Sequence, residues 1–278
     1  MNQFLAAQCS RASFGPVRQL ILNGPASGGV ADNAGMSSDE KEHWVDALRR
    51  HLGRAKALRA AANADPRMAQ DRLRLRGWQA ERLAATYRDL LDSDRYHAAA
   101  RFFLTDLYGP KDFSERDHEV ERILPTLAAT LPASGIRTIA LAIEVDALSE
   151  ELDAAMVAEL RRARSIGSIT DKAYAEAYRR AGHRKEREQQ LELIGRIGEA
   201  LAALTRKPLI HAALRIMRGP ARLAGLAELH QFLDHGYNAF HRMGDSTEFL
   251  ATITTREGII LRQLFDGAPR PFDIPGEA

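Results

Sequence analysis

Four residues in the stretch ARFFLTDLYGPKDFSERD, residues 100–117, combine charges that can either lock a fold or hold a ligand: Arg101, Asp106, Asp112 and Arg116. Asp106 lies four residues before Pro110, near the C-terminal end of a predicted helix, where the helix dipole disfavours an acid. It therefore needs a cationic partner, which Arg116 across the turn or Arg101 from the preceding turn can supply. A guanidinium offers a planar fork of N–H donors, so the same set can pin a helix corner or grip a carboxylate or phosphate. The corner lock is the first reading and the ligand site its alternative. The lock predicts that Asp106→Ala strands a partly buried arginine at a cost of about 3–5 kcal/mol, whereas Asp117→Ala, the loss of a cap-turn acid, costs about 1 kcal/mol. The rest of the stretch is helix punctuation. Tyr108 ends one helix, Gly109 supplies a left-handed cap, Pro110 stops continuation, and Ser114 caps the next helix with Asp117 at the capping-box spacing.

Glu144 is the second candidate. It stands inside IRTIALAIEVDAL, residues 136–148, which is apolar around most of a helical circumference. A carboxylate there must be paired, protonated or bound to a metal. Arg137 on the same helix and Arg101 from another are its candidate partners. Di-iron bundles use Glu-x-x-His pairs with lone glutamates, and the chain contains Glu40-x-x-His43 and Glu115-x-x-His118, with Glu144 and Glu228 as lone acids. Both pairs fall in polar first turns, where acids serve the helix dipole, and nine histidines produce such spacings by chance. His211 and His230 are the best placed for an axial haem contact. P-loop, dinucleotide, nucleophile-elbow and His-Glu-x-x-His patterns are all missing. No cofactor and no resident metal is assigned.

The chain's 278 residues can bury a sizeable core, and 45% hydrophobic with 27% charged residues is the ordinary globular balance. With 39 basic against 37 acidic residues, the charge argues against nucleic-acid binding. The basic run RRARS and the arginines after it are interleaved with acids, as on a solvated helix face. The single cysteine, Cys9, excludes an intramolecular disulfide and fits a cytoplasmic setting. No segment reaches the ~20 apolar residues of a membrane span.

The elements that must position these residues are helices. Residues 1–37 have no period and are rich in small residues, and they read as a flexible leader ending at Met36, which could itself be the true start. Ser37 and Glu40 have capping-box spacing, Asp65-Pro66 opens a helix to about Leu91, a third starts near Asp94 and a fourth at Ser114. The helix holding Glu144 is predicted to be innermost. Further helices are expected at about 170–181, 185–205, 208–217, 221–242 and 246–265, with Gly219-Pro220 and Gly244-Asp245 as breaks. Leu226, Leu229, Leu233, Tyr237 and Phe240 form the cleanest buried stripe. The whole is an all-α, single bundle-like helical domain of about nine or ten helices, residues 38–266, with a split near 165–187 as the alternative. Residues 267–278 form an extended C-terminal tail.

The elements Phe102-Phe103-x-x-Asp106-Leu107-Tyr108-Gly109 and Phe240-x-x-Met243-Gly244 resemble those of a family of uncharacterised, mostly proteobacterial helical proteins of unknown function. The resemblance covers about residues 40–266 and implies a helical, cytoplasmic, single-domain protein, but no activity. The functional expectation is a protein that binds a protein partner, a second copy of itself or a small ligand, away from membranes. The alternative class is a metal- or haem-dependent redox protein or enzyme using Glu144, His97, His118 or His230.

Overall fold

Proline, glycine and side-chain caps set most of the helix boundaries. The computed structural model describes residues 38–107, 114–130, 133–206 and 208–275. Among them are eleven α-helices, one π-helical turn and no strand. The helices are α1 (Ser38–Asn63), α2 (Pro66–Thr86), α3 (Arg88–Asp92), α4 (His97–Phe102), α5 (Ser114–Thr130), α6 (Ala133–Arg162), α7 (Asp171–Ala181), α8 (Arg184–Thr205), α9 (Pro208–Leu223), α10 (Ala227–Met243) and α11 (Thr247–Asp266). The π turn is Phe103–Leu107, continuing α4. The proposed leader with Cys9 and Met36, and the punctuation at Tyr108, Gly109, Pro110 and Asp112, lie outside the described residues.

Asp65 caps α2 as expected, accepting a hydrogen bond from Arg67 N–H at 2.9 Å, with Pro66 in the first turn. Three expectations need correction. The helix predicted to reach Leu91 breaks at Tyr87, and the additional short helix takes the count past nine or ten. Pro220 does not end α9, which continues to Leu223. The chain turns later, at Gly225, whose φ of +65° reverses it. Consequently α10 starts at Ala227 rather than 221, and Leu233, expected in its buried stripe, is 45% exposed.

The thirty-residue α6 is the central helix and packs on α1, α2, α7 and α8. Its most extensive partner is α1, which runs in the same direction: Arg137 lies over the Trp44 ring, and Arg54 pairs with Glu151 further on. Leu48 and Leu52 of α1 meet Val120 and Leu124 of α5 and Ile143 of α6 in one apolar cluster. A second cluster joins Leu75, Met156 and Leu160 to Tyr174, Tyr178 and Ile260. Phe272 closes over that cluster, against Trp78 at 5.7 Å and Tyr174 at 6.0 Å, so the proline-rich tail is non-helical but packed. The third cluster gathers Phe102, Phe103, Phe240 and Phe249 where α4, α10 and α11 meet.

Candidate functional site

Among the described residues, the largest concentration of buried charge lies between α1, α2, α5 and α6. Arg59 donates to Asp117, to Asp146 at 2.6 Å and to Glu150 at 2.9 Å, with its own side chain only 1% exposed. Arg76 reaches Glu150 at 2.6 Å and Asp153 at 3.1 Å, and Arg72 lies 3.0 Å from the other Glu150 oxygen. Gln79 extends the set, donating to Asp153 at 3.2 Å and to the Tyr174 hydroxyl at 3.4 Å. Burial alone would lower Arg59, but Asp146, Glu150 and Asp117 outweigh it and hold it above the usual guanidinium range. Arg72 is held down by burial, with the neighbouring Arg76 and Arg59 charges adding to the effect against Glu150. Three guanidiniums and four carboxylates thus pair with one another, and Oε2 of Glu150 accepts no hydrogen bond there. The arrangement clamps four helices.

Asp117 therefore is not a surface cap-turn acid; it is wholly buried. Of the predicted corner, Arg101 and Asp106 are among the described side chains. Arg101 is exposed, and its carbonyl accepts from the Thr105 hydroxyl at 2.9 Å. Asp106 is half-buried, accepts from Thr105 at 2.8 Å and lies 3.6 Å from Nδ1 of His235 on α10. Asp112 and the Arg116 side chain lie outside the described residues. Glu144 is half-buried and accepts from Gln189 at 2.8 Å, while Arg137 lies instead over Trp44 at 5.7 Å. Glu144 faces partly outward, so the need for a core arginine passes to Asp146, Glu150 and Asp153, on another face of α6.

The contact from Asp106 to His235 leads to a cleft at the α9–α10 corner. Gly225, with φ of +65°, reverses the chain, its N–H donating to Arg222 O at 3.1 Å and that of Leu226 to Ala221 O at 2.8 Å. Arg122 of α5 donates to the Gly225 carbonyl, and its guanidinium lies 3.3 Å from where a Cβ would stand. Glu119, also on α5, accepts from Glu228 N–H at 3.4 Å and so answers the N-terminus of α10. α9 leans on α10 through His230, whose Nε2 donates to Leu214 O at 2.8 Å, and through His211, stacked on Tyr237 at 5.5 Å. The cleft this leaves has a volume of about 230 Å³ and is lined by Arg218 and Arg222 of α9 and Ala227, His230, Gln231, Asp234 and His235 of α10. Neither arginine side chain has an ion-pair or hydrogen-bond partner among the described residues.

The sequence carries a signal for this surface: from Ala200 to Ala227 the chain has five Lys and Arg residues and no Asp or Glu. The buried clamp has one too, in the four- and three-residue spacing of Asp146, Glu150 and Asp153 and in Arg72 and Arg76 one turn apart. The residues considered for metal or haem have other engagements. His97 Nδ1 lies 2.5 Å from Leu91 O, and His43 packs edge-on against Trp44. No group of three or more His, Cys, Asp or Glu side chains among the described residues is placed to hold a metal ion. Nor is any described helix long and apolar enough to cross a membrane. No curated protein and no solved structure matches the chain. A family model described as a domain of unknown function, DUF8198, does match over residues 58–271, most of the chain, and the protein belongs to that family.

Proposed function

We propose that the protein acts by binding an oxyanion-bearing ligand in the α9–α10 cleft. The observation that carries this reading is the pair Arg218 and Arg222. They lie one helical turn apart, line a concave surface, and have no acid engaging them in a segment that contains none. Elsewhere the described arginines of α1, α2 and α6 are mostly paired with carboxylates, so this pair is what a ligand can recruit. Titration calorimetry with inorganic phosphate and with citrate at low salt tests it. Wild-type protein should bind at least one of them, and the R218Q/R222Q variant should bind at least tenfold more weakly at an unchanged melting temperature. Absence of binding by wild-type protein at millimolar anion would sink the proposal.

A second reading, docking of an acidic protein surface, has its own observation. Ile216 and Leu223 are 55% and 92% exposed on the outer arc of α9, beside Arg215, Arg218 and Arg222. That reading expects Leu223→Ser to leave phosphate and citrate affinity untouched. The redox alternative has no supporting observation among the described residues.

A further inference from the structure

The cleft contains an acid as well as bases, and resting on the anion-site reading above, this narrows the class of ligand. Asp234 is half-buried in the same lining as Arg218 and Arg222, yet no ion pair joins it to either arginine or to any other described side chain. A bare anion drawn to the guanidiniums would meet its carboxylate charge nearby. A ligand that carries an O–H donor beside its anionic group turns that repulsion into a hydrogen bond, because an ionised carboxylate can only accept. Gln231, one turn before His235, can donate or accept beside it.

Donor count favours phosphate over carboxylate. Each guanidinium has five N–H donors, and two of them exceed what the two oxygens of a carboxylate can accept, whereas a phosphate monoester offers three terminal oxygens. The volume of about 230 Å³ is below the roughly 300–1,000 Å³ of sites for drug-sized ligands. The histidine rings in the lining are engaged with Leu214 O and Asp106, and no Phe, Tyr or Trp is among its described residues, which gives a nucleobase no described platform to stack on. We infer that the ligand is a phosphate monoester bearing a hydroxyl near the phosphate, a polyol or sugar phosphate, with the phosphate on Arg218 and Arg222 and the hydroxyl on Asp234.

Calorimetry at fixed ionic strength with glycerol 3-phosphate, n-propyl phosphate and inorganic phosphate tests this. Glycerol 3-phosphate should bind wild-type protein at least tenfold more tightly than propyl phosphate. D234N should shrink that ratio below threefold without weakening inorganic phosphate, and R218Q/R222Q should weaken all three. Equal affinities for the two esters in wild-type protein overturn the hydroxyl assignment while leaving the anion site standing. Failure of all three to bind removes both. Should D234N melt early, the wild-type ratio alone decides.

Discussion

Arg59 of α1 and Asp117 of α5 meet as an ion pair whose side chains are 1% and 0% exposed, fifty-eight positions apart in the chain. Removing one partner of such a pair leaves a buried charge without compensation, which costs about 3–5 kcal/mol. Asp117→Ala should therefore lower the stability read from urea melts by that amount. Asp46→Ala, whose ion pair with Arg49 is exposed on both sides, should cost about 1 kcal/mol or less. Asp117 is thereby worth more than the cap-turn acid its spacing suggests. Equal effects for the two variants would refute it.

Gly236 on α10 faces Phe102, and a Cβ there would come within 2.8 Å of the ring, which is buried. Gly236→Ala should destabilise by about 1–2 kcal/mol, as overpacking outweighs the gain in helix propensity. Gly77, inside α2, has nothing within 4 Å of a Cβ, so Gly77→Ala should stabilise by about 0.5–1 kcal/mol. Opposite shifts in thermal melts are the expected result.

Phe272 in the tail seals the aromatic cluster around Trp78 and Tyr174, whose rings stack at 4.2 Å. Phe272→Ala should cost about 1–3 kcal/mol, since the ring is only half-buried. In a Trp44→Phe background the emission of Trp78 should shift to the red. An unshifted spectrum with unchanged stability would show the tail to be dispensable.

Burial pushes the phenols of Tyr87 and Tyr178 well above the usual tyrosine range, and at Tyr87 the Glu257 carboxylate, accepting its hydroxyl at 2.9 Å, adds to the effect. The unfolded chain releases these protons near pH ~10 while the folded chain keeps them, so stability falls as pH rises beyond that point. Absorbance at 295 nm should stay at least two phenolates short of the chain's six until alkaline unfolding. A smooth six-tyrosine titration in folded protein would contradict this.

Helix period and capping chemistry were legible because they are local. Asp65-Pro66, the apolar circumference of α6 and the start of α11 near Thr247 all follow from residues within one or two turns of one another. What was not legible depends on which helix faces which. Asp117 has the spacing of a cap residue, and only the packing of α5 on α1 turns it toward Arg59. Glu144 and Asp146 are two residues apart, and only the position of α1 decides that Asp146 receives the arginine and Glu144 the amide of Gln189. Pro220 likewise reads as a stop, yet α9 runs three residues past it and the chain turns only at Gly225. The cleft needed both helices and the Gly225 reversal before its arginines became neighbours of Asp234.

The clamp also imposes an order on synthesis. Arg59, Arg72 and Arg76 leave the ribosome before any of Asp117, Asp146, Glu150 and Asp153 exists. Glu150 follows Arg59 by 91 positions, about 5–20 s at translation rates of 5–20 residues per second. Until Asp117 is made, 58 positions after Arg59, α1 and α2 carry cations whose clamp acids do not yet exist, and α1 lacks the parallel helix it packs against most until α6 follows. Only with α6 are both the charge neutralisation and the apolar closure of α1 complete.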